Sequence, residues 1–596
     1  MRHQTADSQT APRHDTLVKS VRIHIARLFV IKLFIHSAYY QYMKLLKPLS
    51  IVILCGSLGC LLVNPQAAHS QTPAPAPGPD SGMLPVTAGQ FDPDWQSLHQ
   101  YQTPDWFRDA KFGIWAHWTA QCVPEMGDWY AQFMYLEYRI DRKTGIAATN
   151  QNPIWKFHQE TYGPQSQFGF KDIDHIWTAA SWEPSRLIDL YKRAGAKYFV
   201  ALANHHDNFD CYDSKYQPWN SVNIGPKRDI VGEWAKAARA VGLRFGVTVH
   251  AARSWDWFDV SHGADKDGPY AGVPYDGNLT KADGNGKWWE GYDPADLYSP
   301  AGAARTPEAH LAYNVKFYNR VLDLVHKYQP DLLYFDDGVM PLKAEPGDYG
   351  LKIAADYYNS SIHWHGKNEA VMNTKGLDLD QRKCLVRDIE RGKSETIDPN
   401  PWQTDTCIGV WHYDRSLFEL HKYKTPDAVI GMLVDIVSKN GNLLLNIPVR
   451  GDGTIDSDET ACLEGIASWM AVNSEGIFGT RPWKIFGEGP STVGAGEANR
   501  FGGVRDVSSK PYTTQDFRFT AKGNTLYAFS MALPQGEAKI KSLGARSPQG
   551  VKVKRVQLLG TEGAVKWQQT DDDLIIECPA TLPSKYISTF KITTAP

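Results

Sequence analysis

The segment Pro330–Gly338, PDLLYFDDG, passes through four apolar residues, Leu332 to Phe335, into two adjacent carboxylates, Asp336 and Asp337, and then a glycine. A short apolar run bounded by turn residues reads as a buried strand. Acids at its end belong at the mouth of a barrel rather than in its packed interior. The same pattern occurs three more times upstream. Phe112–Trp115 leads into Ala116-His117-Trp118, Tyr198–Ala203 into Asn204-His205-His206-Asp207, and Phe245–Val249 into His250. In a (β/α)8 barrel the C-terminal rim of the strands carries the catalytic residues. Four strands ending in an acid or a histidine therefore point to one shared site.

Such a rim can do several kinds of chemistry. Successive strand side chains face opposite sides, so only one of Asp336 and Asp337 faces the barrel mouth. A carboxylate there can be a nucleophile, a general base or a metal ligand. Neighbouring histidines can ligate a metal or bond the hydroxyls of a polar ligand. Retaining glycoside hydrolysis needs a second carboxyl ~5–5.5 Å from the first. Glu390, in Val386–Gly392 (VRDIERG), follows another short apolar run and is the candidate, with Glu395 as its nearest competitor.

The elements that would position these groups alternate. Helical patterns at Pro184–Ala194, Asp229–Val241 and Ala309–Tyr328 each precede one of the apolar runs. Further strands are expected at Ala370–Asn373, Ile408–His412 and Leu443–Ile447, the last preceded by a helix over Pro426–Ser438. This alternation predicts a parallel α/β barrel, with long loops such as Ala252–Pro307 as rim insertions. After Pro482 the chain changes to short β-like segments separated by Gly, Pro and Asp, which predicts a C-terminal antiparallel β-sandwich. The expected division is a (β/α)8-like catalytic domain over 92–483 and a sandwich domain over 484–596.

The N-terminus reads as an export signal. A basic stretch at Met43–Lys47 precedes a 13-residue apolar run, Ile51–Val63, and small residues at Ala67-Ala68-His69-Ser70. That run is shorter than the ~20 residues of a membrane span. Residues 43–70 are thus expected to be a signal peptide, 1–42 a misassigned upstream extension, and 71–91 a Pro/Ala-rich linker. The exported protein would be periplasmic or extracellular in a bacterium. Of 596 residues 42% are hydrophobic and 22% charged, with a net charge of -3, which gives no basic surface for nucleic acid. Twenty tryptophans fit a sugar-binding surface as well as a large aromatic core. None of the eight cysteines forms a CxxC pair, which argues against a zinc ribbon.

Several ordered blocks carry a family resemblance. They are WFRDAKFGIWAHW (Trp106–Trp118), GDWY (Gly127–Tyr130), NHHDNF (Asn204–Phe209), PDLLYFDDG, PWQTDTCIG (Pro401–Gly409), KNGNLLLNIPVRGDGTI (Lys439–Ile455) and GTRPW (Gly479–Trp483). Together they resemble the α-L-fucosidases of glycoside hydrolase family 29. The resemblance implies a (β/α)8-like barrel plus a β-sandwich. It also implies a retaining exo-hydrolase that releases α-L-fucose from fucosylated glycans without a cofactor or metal.

On this resemblance Asp336 matches the nucleophile, with Asp337 the alternative, and Glu390 is the acid/base. His117, His205 and His206 match histidines that hold fucose hydroxyls, and Trp129 matches a tryptophan at the sugar. Asp128 stands where many members have glutamate, Lys375 near an arginine of some members, and His250 at a more variable strand end. Trp115, Trp402 or Trp411 would wall the sugar methyl. Three rival readings use the same residues. One is a metal-dependent barrel hydrolase ligated by His117, His205, His206, His250 and Asp336. The others are a sugar-binding protein without catalysis and a glycosidase of another sugar. The sequence leaves a homo-oligomer open.

Overall fold

The structure, a computed structural model, describes residues 82–141, 144–492 and 511–595, and the backbone of 504–505. The expected signal peptide, the segment before it and most of the linker lie outside the described residues.

Eight parallel strands close into a barrel. They are β1 (Phe112–Ala116), β2 (Tyr198–Asn204), β3 (Arg244–Val249), β4 (Leu332–Gly338), β5 (Val371–Lys375), β6 (Val386–Asp388), β7 (Trp402–Cys407) and β8 (Gly441–Asn446). β1 pairs with β2 on one side and β8 on the other, which completes the ring. The first two strands are buried along their whole length, as strands covered on both faces must be. Helices α1 (Pro184–Arg193), α2 (Ile230–Ala240), α3 (Pro307–Tyr328), α4 (Tyr349–His365) and α5 (Pro426–Ser438) surround them. Local chemistry sets where two of these begin. Thr306 and Thr425 accept from the N–H groups of Ala309 and Ala428, and a proline follows each cap.

Two expectations need correction. Ile408–His412 is not a strand; the seventh strand is Trp402–Cys407, and 408–412 is the bend after it. Its polar residues Gln403, Thr404, Asp405 and Thr406 are all buried, so the strand lacks the apolar run by which the others are recognised. The described end of the linker, 82–91, is not a free spacer. Phe91 is buried and its N–H donates to Asn359, while Thr87 bonds Asp356, so this strap docks on α4.

The C-terminal region holds two antiparallel sheets. The larger has the order β9 (Arg481–Glu488), β10 (Phe517–Lys522), β11 (Thr525–Ser530), β16 (Ser588–Thr594) and β13 (Val553–Leu558). The smaller runs β12 (Glu537–Ile540), β15 (Leu574–Glu577) and β14 (Trp567–Gln569). Phe519, Leu526 and Ile592 of the first share one core with Ile540 and Ile576 of the second, as in a sandwich. Arg518 on β10 bonds the buried Asp435 of α5 at 2.5 Å, which ties this sheet to the barrel wall.

Candidate active site

The C-terminal ends of the strands converge as the alternation requires. His117 follows β1, His205 and His206 follow β2, His250 follows β3, Asp336 lies near the end of β4 and Lys375 ends β5. Glu390 stands two residues beyond β6. The histidine rings form one cluster, with His117 5.0 Å from His205 and 5.2 Å from His250, centroid to centroid. All four histidines are buried. Both ring nitrogens of His117 lack a hydrogen-bond partner within the protein. A buried polar group costs ~1–3 kcal/mol when left unpaired. These nitrogens are therefore suited to a ligand that brings hydroxyl groups.

Asp336 faces this cluster. Its carboxylate pairs with the Lys375 ammonium, and its Oδ2 lies 3.3 Å from His250 Nδ1 and 3.8 Å from His206 Nε2. Burial works to raise its pKa, but Lys375 above all, then His250 and His206, hold it well below the usual carboxylate range. Asp337 takes the other side of the strand, where Arg253 Nε donates to it at 3.1 Å. Burial pushes Asp337 up to about 6 despite Arg253. The structure thus brings Asp336, not Asp337, to the histidines.

Lys375 is 2% exposed and also donates to Glu390 at 2.9 Å. Two carboxylates bonded to one ammonium nitrogen have their nearest oxygens within about 6 Å of each other. Glu395 is exposed and Glu390 is not, which separates the two candidates. Beneath them lie Asp388 and Asp405, both fully buried. Burial first, then mutual repulsion, drives Asp388 well above the usual range; burial likewise raises Asp405. The pair therefore retains a proton, while Lys375 stays charged above it.

The histidines are fixed in tautomer as well as place. Burial, and then neighbouring histidines, lowers His205 far below its ordinary value, and His206 is lowered to about 3. Each ring is therefore neutral and carries one proton. Gln121 Nε2 lies 2.9 Å from His205 Nδ1 and donates to Asp207 at 2.8 Å, while its Oε1 accepts the Ala131 N–H at 3.4 Å. The amide thus presents its N–H to His205 Nδ1, and the His205 proton sits on Nε2, pointed away from Gln121. His206 is the reverse. Its Nδ1 is 2.8 Å from the His250 carbonyl and must be the donor, so Nε2 is a bare acceptor. The cluster offers a ligand one donor and one acceptor side by side.

Two triads, His117–His205–His412 and His205–His206–His250, have ligand atoms within 4.8 Å of one another. Both rely on His205, whose available nitrogen carries a proton and donates rather than ligates. That tautomer disfavours a resident metal.

Sequence reasoning missed several neighbours. His412 stacks edge-on against His117 at 4.6 Å, and its N–H donates to Asp128 at 2.8 Å. Trp257 lies 5.7 Å from His206 and 6.3 Å from Trp129. Trp129 holds a left-handed backbone, φ 65°, at a cost of about 1–3 kcal/mol typical of functional positions. Gln121 and Arg253 also went unnoticed. His412 sits in a bend and Trp257 ends a one-turn helix, Ser254–Trp257, where no strand-end pattern marks them. Of the three proposed aromatic walls, Trp115 and Trp411 lie 4.6 and 5.8 Å from His117. Trp402 does not belong. It opens β7 at the far end of the barrel, lies where a Cβ on Gly441 would fall, and gives its indole N–H to the Lys439 carbonyl.

Comparison with known proteins places both regions of the chain in one family. Residues 83–475 match the family model Alpha-L-fucosidase, and residues 510–593 match Alpha-L-fucosidase C-terminal domain. The tissue alpha-L-fucosidase of Mus musculus is 26% identical over 520 residues, covering 85% of this chain and 95% of the mouse protein. The plasma alpha-L-fucosidase of Homo sapiens is 27% identical, covering 67% of this chain and 74% of its own length. The solved structure of Thermotoga maritima alpha-fucosidase in complex with fucose superposes with a TM-score of 0.59 at 27% identity. It covers 84% of this chain and 100% of that one.

Proposed function

The chain belongs to the α-L-fucosidase family and is a glycoside hydrolase that releases α-L-fucose; from that premise we propose that it is exo-acting and retaining, with Asp336 as nucleophile and Glu390 as acid/base. The observation that carries the reading is the single Lys375 ammonium bonded to both carboxyls. A positive charge beside two acids favours the ionised form of each, and Asp336, which also faces His250 and His206, is the member held well below the usual carboxylate range. Glu390, the other carboxyl on Lys375, is assigned the proton-transferring role.

In the first step an Asp336 oxygen attacks the anomeric carbon as the glycosidic C–O bond breaks. Glu390 gives its proton to the departing oxygen. In the second step Glu390 takes a proton from water, whose oxygen displaces Asp336 and frees fucose. His205 donates to one sugar hydroxyl and His206 accepts from its neighbour, with His117 and His250 completing the grip. Trp129, Trp115 and Trp411 supply apolar contact, and Asp128 acts through the His412 backbone. The buried floor suits a terminal sugar. The substrate is a fucosylated oligosaccharide or glycoconjugate. Export through the 43–70 signal, a catalytic domain to about residue 483 and a sandwich domain beyond it complete the reading. No helix among the described residues is long and apolar enough to cross a membrane.

The test is nitrophenol release from a 4-nitrophenyl α-L-fucoside by wild type, Asp336→Gly and Asp337→Asn, with and without EDTA. Activity that survives EDTA, collapses in Asp336→Gly and persists in Asp337→Asn supports the proposal. Loss of activity with EDTA would favour the metal-dependent reading instead.

A further inference from the structure

A second cavity, of about 430 Å³, opens between the loop that follows β1 and the loop that follows β3. Small-molecule sites commonly enclose ~300–1,000 Å³. Both loops rise from the strand ends that carry the histidines. Trp257, whose ring faces His205 and His206, is followed three residues later by Val260, which lines the cavity. Trp129, which packs on Trp257, is followed six residues later by Tyr135, also in the lining. The two recesses therefore share the loop pair that walls the histidine pocket.

The lining has a particular chemistry. Tyr135 and Tyr275 are buried and pack 5.4 Å apart, while Trp155 is half-buried and Tyr270 is 38% exposed. Flat aromatic faces of this kind pair an apolar body with polar neighbours. Among those neighbours, Asp265 is 7% exposed and its Oδ2 has no hydrogen-bond partner within the protein. A buried carboxylate oxygen in that state calls for an incoming O–H or N–H. Glu137 and Lys266 lie 3.7 Å apart at the edge and offset each other's charge.

The wall that carries Asp265 is built in advance. The Asp265 N–H donates to Val273 at 3.1 Å, Gly272 to Asp265 at 2.7 Å, and Tyr275 to Gly263 at 2.9 Å. These bonds close 263–275 into a hairpin-like loop and fix Asp265 against the tyrosines. A preformed site loses less affinity to ordering on binding.

We propose that this cavity is a carbohydrate subsite that binds neutral, non-fucose sugar units of the glycan whose fucose enters the histidine pocket. The inference rests on the fucosidase reading and extends it from the reacting sugar to the rest of the substrate. A pyranose brings apolar C–H faces for Trp155 and Tyr270 and hydroxyl donors for Asp265. A simple aryl fucoside has no such units.

The experiment compares two substrates in Trp155→Ala, Tyr270→Ala and the double variant. On 4-nitrophenyl α-L-fucoside, kcat/KM should stay within about twofold of wild type. On a neutral fucosylated oligosaccharide it should fall about tenfold per aromatic removed, mostly through KM. Separately, calorimetry measures binding of the same oligosaccharide without its fucose to full-length Asp336→Gly. Binding should be present there and lost when Trp155→Ala is added. Equal effects on both substrates, or no binding of the defucosylated oligosaccharide, would overturn the proposal. So would preference for a cationic amino-sugar oligomer over the neutral one. If the wild type failed to cleave the aryl fucoside, the fucosidase reading would fall, and the calorimetry would still decide whether the cavity takes neutral sugar. Tyr270→Ala alters an exposed ring and keeps the comparison interpretable should the Trp155 variant fold poorly.

Discussion

Replacing Lys375 with methionine removes an ammonium bonded to both Asp336 and Glu390 while retaining most of the side-chain volume. Burial alone raises the Asp336 carboxyl; what holds it low is Lys375 first, then His250 and His206. An opposite charge at this range is worth about 1–3 pKa units, or about 1.4 kcal/mol per unit. The acid limb of the kcat/KM profile, which reports the free enzyme's essential base, should therefore move up by about 1–3 units. At a pH below both limbs that is a loss of about tenfold to a thousandfold against wild type. Glu390 loses the same cation, so the alkaline limb should shift upward too.

Stability gives an independent reading of the same variant. Lys375 is fully buried and surrounded by Asp336, Asp405, Glu390 and Asp388, which all raise its pKa. Breaking such a pair costs about 3–5 kcal/mol. Asp336 has a depressed pKa in the folded protein, so its contribution is present above the unfolded carboxylate value of about 4 and is lost as pH falls. The destabilisation of Lys375→Met should then be greatest near neutral pH and shrink toward acid. Urea melts at several pH values and a stopped assay on the aryl fucoside measure both effects. Lys375→Arg, which keeps the charge, should retain the wild-type acid limb. A folded Lys375→Met enzyme with an unmoved acid limb would refute the reasoning.

Other outcomes follow from the same geometry. Gln121→Glu should place an acceptor against His205 Nδ1, move the proton to that nitrogen and turn Nε2 from donor to acceptor. KM for the fucoside should rise by about tenfold or more, and 15N NMR of the histidines should report the changed tautomer. Asp435→Asn should lower stability by about 3–5 kcal/mol, because Arg518 and Lys439 are left buried without their counter-charge. Burial opposes it, but Lys439 and then Arg518 hold the Asp435 carboxyl far down, so the loss should be full at neutral pH and fade only well below the unfolded carboxylate value of about 4; denaturant melts at pH 7 and about pH 2 check this. Phe91→Ala should cost about 3–5 kcal/mol by thermal melt, since the ring is buried in the strap that docks on α4.

Strands whose inner faces are apolar until their last residue were legible in the sequence, and with them His117, His205, His206, His250 and Asp336. β7 was not, because it carries Asp405 beneath Lys375 and buries Gln403, Thr404 and Thr406 beside it. A strand that lines a charged interior loses the apolar signature used to find it. Helix α4 was missed for a related reason. Its Asn359, Ser360 and Ser361 are buried polar residues that face other segments, with Asn359 bonded to Thr87 and Phe91 from over 260 residues away. No local pattern encodes such a partner. Trp402 and Trp411 looked equivalent in sequence, yet one opens a strand and the other follows its end, so they stand at opposite ends of the barrel. Glu390 and Glu395 are likewise separated only by burial against Lys375, a contact that depends on β5 and β6 being neighbours.

The most direct test of the central claim is mass spectrometry of the digested enzyme after incubation with a 2-deoxy-2-fluoro-α-L-fucosyl fluoride. Such a substrate slows the second step more than the first and leaves the glycosyl-enzyme in place. The fluorofucosyl mass should be found on the peptide containing Pro330–Gly338, with fragmentation placing it on Asp336. A label on Asp337 or Glu390, or turnover to an inverted product with no label at all, would contradict the assignment.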